Sequence, residues 1–97
     1  MSFVKQTFLT FHGADTKEAI YEVAIKNIGN KFVVTTTEDI LENGVPISSK
    51  TSAPPYSRRE EDTLEKALVF FKAYVTDLQK NRPQKGWVLV DLLEKQT

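Results

Sequence analysis

Two basic clusters carry most of the chemistry this chain can offer. Lys50, Tyr56, Ser57, Arg58 and Arg59 stand where the sequence enters its clearest helical pattern. A helix N-terminus presents free amides and the positive end of the macrodipole, so a phenol and cations there can gather around an anion. Arginines at that end oppose the dipole, which calls for either a bound anion or pairing with Glu61 and Asp62. The second cluster is Lys80-Asn81-Arg82-Pro83-Gln84-Lys85-Gly86-Trp87, three bases and one ring without an acid. Bases beside a stackable ring suit a single-stranded nucleic acid. Each cluster also has a purely structural reading. Ser57 is a good helix cap, the later bases complement a helix C-terminus, and Trp87 in an apolar run belongs to a core. Helical rise sets the clusters about 30 Å apart, too far for one small ligand to bridge but within reach of a nucleic acid.

Catalytic chemistry has little to work with. His12 is the only histidine, and with Asp15 it offers one imidazole and one carboxylate where zinc usually takes three or four ligands. That pair is also the only source of acid-base chemistry near neutral pH. No serine is flanked by nucleophile-elbow glycines. Gly13, Gly29, Gly44 and Gly86 are scattered singly, so no phosphate-cradling loop or dinucleotide fingerprint forms. The chain has no cysteine, which removes disulfides, thiolate nucleophiles and cysteine zinc sites together. Glu38, Asp39 and Glu42 could hold a cation or meet a basic partner, but such charges also keep a strand edge soluble. Pro54-Pro55-Tyr56 lacks the residue between proline and tyrosine that a WW ligand needs, and reads as a stiff connector. The expectation is a chain that is not an enzyme, with no catalytic set, no metal and no cofactor.

The elements that position these residues follow from periodicity. Leu64, Ala67, Leu68, Phe71, Tyr74, Val75 and Leu78 recur at three- and four-residue spacing, which predicts a helix over 57–81 with one apolar face. Ser57 with Glu60 forms a capping box at its start. Glu60, Glu61, Asp62 and Glu65 crowd its first turns, and Pro83 stops it. Val69 and Phe70 widen the apolar face beyond what one sheet needs.

Before the helix, Phe3 to Phe11 predicts a strand whose alternation Lys5 and Thr7 interrupt. Tyr21, Val23 and Ile25 alternate with Glu22, Ala24 and Lys26 in a half-buried second strand, Ala19 to Ile28. Gly29-Asn30 suits a type II′ turn into a third strand, Lys31 to Leu41. Asn43-Gly44 suits a type I′ turn into a fourth, Val45 to Thr51, where Pro46 marks an edge. Trp87 to Leu93 fits either strand or terminal helix. The fold class is α+β: a small antiparallel sheet of about four strands, a meander, with one long helix packed across it.

Ninety-seven residues, 40% apolar and 27% charged, fit a single domain over 1–97. Thirteen basic and thirteen acidic residues cancel, which argues against a whole-surface polyanion binder. No stretch approaches the roughly 20 apolar residues of a membrane span, and the N-terminus is not a secretory signal, so the expected setting is cytoplasmic and away from membranes.

Several strings resemble the WGR domain, a sheet-and-helix module of poly(ADP-ribose) polymerases and of standalone bacterial proteins. They are Tyr21-Glu22-Val23, Phe32-Val33-Val34-Thr35, Lys50-Thr51, Ala67, Phe71-Lys72 and Lys85-Gly86-Trp87, spread over roughly residues 18 to 88. Thr37, Glu38 and Asp39 stand where that family has its Trp, Gly and Arg. The resemblance implies the α+β fold, while an acid at the arginine position repels phosphate.

Two functional expectations follow. One is a non-catalytic interaction module that meets a protein partner or forms a homodimer through Val69, Phe70 or an exposed sheet edge. The other is a nucleic-acid binder using Lys50, Tyr56, Arg58, Arg59, Lys80, Arg82, Lys85 and Trp87.

Overall fold

Two turns set the sheet's register. The computed structural model describes residues 2–51 and 58–96. At Gly29-Asn30 only the glycine has positive φ, 63°, as a type II′ turn requires. At Asn43-Gly44 both residues do, 53° and 77°, the type I′ arrangement. Each turn spans two residues, so β2 (Lys17–Ile28), β3 (Lys31–Glu42) and β4 (Val45–Thr51) form the expected meander. β1 (Ser2–His12) pairs antiparallel with β2. Strands of up to 12 residues, about 40 Å at some 3.3 Å per residue, account for the molecule's 44 Å long axis.

The sheet holds six strands where about four are expected. Arg59–Glu61 is not the first turn of the helix but a short strand, β5, pairing with Phe32–Val34. β4 pairs with the other end of β3, from Thr37 to Glu42. β4 and β5 thus share one edge of β3. The C-terminal segment is a strand, β6 (Val88–Gln96), antiparallel to β1. Strand order is β4-β3-β2-β1-β6, with β5 beside β3.

The helix, α1, runs over Leu64–Gln84 instead of 57–81. Its cap is Thr63, whose Oγ1 accepts from the Lys66 amide at 3.3 Å. Ser57 lies outside the described residues, and Glu60, its expected capping partner, is in β5. Of the four acids expected in the first turn, Glu65 alone occupies it. Replacing Thr63 by alanine should cost about 1 kcal/mol in urea unfolding, the usual worth of a threonine cap; no change would refute this helix start. Pro83 lies inside the last turn, not beyond it. The helix ends through donations from Lys85 N to Arg82 O, Gly86 N to Pro83 O and Trp87 N to Arg82 O, at 3.0–3.2 Å.

Every residue of the expected apolar helix face meets the core. Ala67, Phe71 and Leu78 are buried, while Leu64, Leu68, Tyr74 and Val75 pack at its margin. Opposite lie Leu9 and Phe11 of β1, Tyr21, Val23 and Ile25 of β2, and Val34 of β3. A bulge between Phe3 and Lys5 moves Phe3 out of the row of Leu9 and Phe11, while Lys5 and Thr7 stay in that row. It gives Val4 the place against the core, leaving Phe3 opposite Lys26, whose ammonium lies 5.3 Å from the ring. Thr7 and Thr36 flank Val23 in the register and are buried with it. A threonine is close to a valine in shape and fills the row, while the Thr7 and Thr36 hydroxyls are buried with no hydrogen-bond partner among the described residues.

Candidate functional site

The structure divides the basic residues between the two ends of the helix. Lys50 is exposed on β4, opposite Glu38 in the register. Tyr56 lies outside the described residues. Arg58 pairs with Glu60 at 3.3 Å and Arg59 with Glu61 at 3.2 Å, because alternate residues of β5 point to one side. The Arg59 guanidinium also lies 3.8 Å from the Phe70 ring centre. Both arginines thus face an acid two residues on, Arg59 from within β5 and Arg58 from just before it.

At the far end, Lys80 and Lys85 are exposed. Arg82 is half-buried, its guanidinium 5.3 Å from the Tyr21 ring centre. Its Nε is buried with no hydrogen-bond partner among the described residues. Trp87 is half-buried and packs on the core margin, its six-membered ring lying against Gly13. The ring that was a stacking candidate is thereby held against backbone.

His12 and Asp15 line an open cleft of about 250 Å³ with Thr16, Lys17, Glu18, Asn43 and Gly44. His12 Nε2 lies 3.8 Å from Glu18 Oε2, its partner across the β1–β2 ladder. Among the described residues, no three His, Cys, Asp or Glu side chains are placed to hold a metal ion. The carboxylates Glu38 and Asp39 do not act together. As neighbours on one strand they face opposite sides of the sheet, Glu38 accepting from the Tyr21 hydroxyl at 2.5 Å and Asp39 from Ser49 Oγ at 2.6 Å. Asp62 pairs with Lys31. That hydrogen bond, reinforced by the charge of the partner, raises the lysine above its ordinary value and holds the carboxyl below its own.

Val69 and Phe70 part company. Val69 is 65% exposed on the outer side of the helix. Phe70 packs against the core between Arg59 and Tyr74, its ring 6.5 Å from the tyrosine ring. A second cleft, about 240 Å³, opens between the helix and the free side of the sheet, lined by Lys5, Phe71, Lys72, Val75, Thr76 and Glu94.

The most apolar exposed surface was not singled out from sequence. Val88 is 62% exposed, Val90 50%, Leu93 49% and Leu92 37%, all on β6. β6 is the last strand of the sheet, and its outer side has no strand partner among the described residues. An unpaired strand of nine residues is a ready template for another chain. The opposite edge also exposes Val45 and Ile47, but Pro46 lacks a donor there; the ladders of both edge strands carry one register shift. Alternating Val88 and Val90 were the only sequence signal, and they mark a strand without marking its place.

No helix among the described residues is long and apolar enough to cross a membrane. No protein-family model matches this chain, and neither a curated protein nor a solved structure matches it.

Proposed function

We propose that this chain is a non-catalytic interaction module whose working surface is the outer edge of β6. One observation carries the reading: a strand at the end of the sheet that exposes Val88, Val90, Leu92 and Leu93 and whose outer side is unpaired among the described residues. Strand addition there supplies main-chain hydrogen bonds for affinity, while alternate side chains on the two faces supply specificity. Val69 is a separate exposed apolar residue on the helix and is not needed for this mode.

The nucleic-acid reading draws less support. Arg58 and Arg59 face Glu60 and Glu61, and Trp87 packs on Gly13. At the position of the WGR motif, Glu38 takes the Tyr21 hydroxyl, a use that has nothing to do with phosphate. His12 and Glu18 form an open imidazole–carboxylate pair at 3.8 Å, and among the described residues no hydrogen bond joins the imidazole to a hydroxyl that it could activate.

A photo-crosslinking amino acid placed at Leu92, and separately at Ile47 on the other edge, tests the interaction reading. In cells that make the protein, discrete adducts are expected from position 92 and not from 47. Equal labelling at both positions, or none at 92, would defeat it.

A further inference from the structure

We infer that the strand added to β6 is the β6 of a second copy of this chain, paired antiparallel about a two-fold axis normal to the sheet. This rests on the reading of β6 as the working edge and deepens it by naming the partner. The inference comes from the charges of the strand itself. Asp91, Leu93 and Lys95 lie opposite Thr10, Phe8 and Gln6 of β1, on the side of the sheet away from the helix. Leu92 and Glu94 lie on the helix side, opposite Leu9 and Thr7. A two-fold axis normal to the sheet keeps each face with its own kind, so a residue can only oppose one of the same face.

That restriction leaves few registers. Centring the pair on Asp91 sets aspartate against aspartate, and centring it on Glu94 sets glutamate against glutamate; like charges directly opposite are destabilising. Centring on Leu92 sets each Asp91 against a leucine. Centring on Leu93 sets leucine against leucine, with each Asp91 facing Lys95 of the second copy on both sides of the axis. Of these registers only the last sets negative against positive, and it does so on both sides of the axis; on the helix side it sets each Leu92 opposite Glu94 of the second copy. Within one chain the Lys95 ammonium lies 5.5 Å from the Phe8 ring centre, on the same face. It exchanges that contact for the opposing carboxylate. The pairing is isologous, the usual geometry of a two-chain assembly.

The purified full chain gives the test, with sedimentation equilibrium as the main readout. The wild type is expected to form a dimer. Asp91→Lys, which sets lysine against lysine twice, should weaken it about tenfold or more. The exchange Asp91→Lys with Lys95→Asp should return the affinity to within about threefold of wild type. Because the chain has no cysteine, Leu93→Cys introduces a single thiol directly opposite its own copy, at a separation a disulfide can span. Mild oxidation should link it into dimers, while Val69→Cys under the same conditions stays single. A wild type that remains a monomer, a charge exchange without recovery, or equal linking at 69 and 93 overturns the inference. A monomeric wild type whose Leu92 still gives adducts with another protein in cells leaves the β6 reading standing and removes only the second copy.

Discussion

Replacing Phe71 with alanine is expected to lower the stability of this chain by about 3–5 kcal/mol, the range for truncating a buried phenylalanine. Phe71 is 2% exposed and occupies the middle of the helix face that meets the sheet. Its removal withdraws a ring from the one core that the helix and β1 to β3 share. The void would join the cleft that Phe71 already lines with Lys5 and Val75, so water can reach it. The Lys5 ammonium, 5.1 Å from the ring centre, loses its cation–π partner as well. A domain of this size has a net stability of roughly 5–15 kcal/mol. The loss therefore takes a large share of it, on the order of 15 °C or more in melting temperature. Val69→Ala, two residues earlier on the exposed side, should stay within about 0.5 kcal/mol. Urea unfolding of both variants gives the comparison. Equal effects at 69 and 71 would mean that the helix is not seated on this face.

The second large effect is expected at Gly13. A Cβ built there would come within 2.7 Å of the Trp87 ring and meet two further ring atoms at 2.9 and 3.0 Å. Real Cβ atoms do not approach so closely, and the obstacle is a bulky aromatic rather than the free end of a flexible chain. Gly13→Ala must therefore push the indole outward or shift the β1–β2 turn, where the Gly13 amide donates to the Lys17 carbonyl at 2.9 Å. Overpacking of this kind costs about 1–3 kcal/mol. Trp87 is the only tryptophan, so its fluorescence reports the displacement directly. Emission should move to longer wavelength as the ring meets water, alongside the loss of stability. Unchanged emission and an unchanged unfolding midpoint would show that the ring does not rest on Gly13.

Local pattern and long-range contact divide what the sequence reveals from what it hides. The helix face is legible because seven apolar residues repeat with the helical period, and all of them pack on one core, three fully buried and four at its margin. The hairpin turns are legible because Gly29 and Asn43-Gly44 have chemistry that few other backbones need. The start of the helix is not. Arg58 to Asp62 carries charges that complement a helix end as well as they complement one another across a strand. Only the vacant edge of β3 beside Phe32 to Val34 makes Arg59–Glu61 a strand.

β6 is hidden for a related reason. Its leucines and charged residues fit a terminal helix, and β1 settles the matter by offering an unpaired side. The site contacts are more distant still. Nothing near Gly13 in sequence announces Trp87, and nothing near Tyr21 announces Glu38 or Arg82, since each is brought together by strand order and the path of the helix.

The two sides of the sheet are unequal, and this limits growth. Proline and two separate short strands occupy one flank, whereas the other has no strand partner among the described residues. A molecule with two receptive flanks could add copies without end and become a fibre; with a single one, the first neighbour uses up the place where a next would attach.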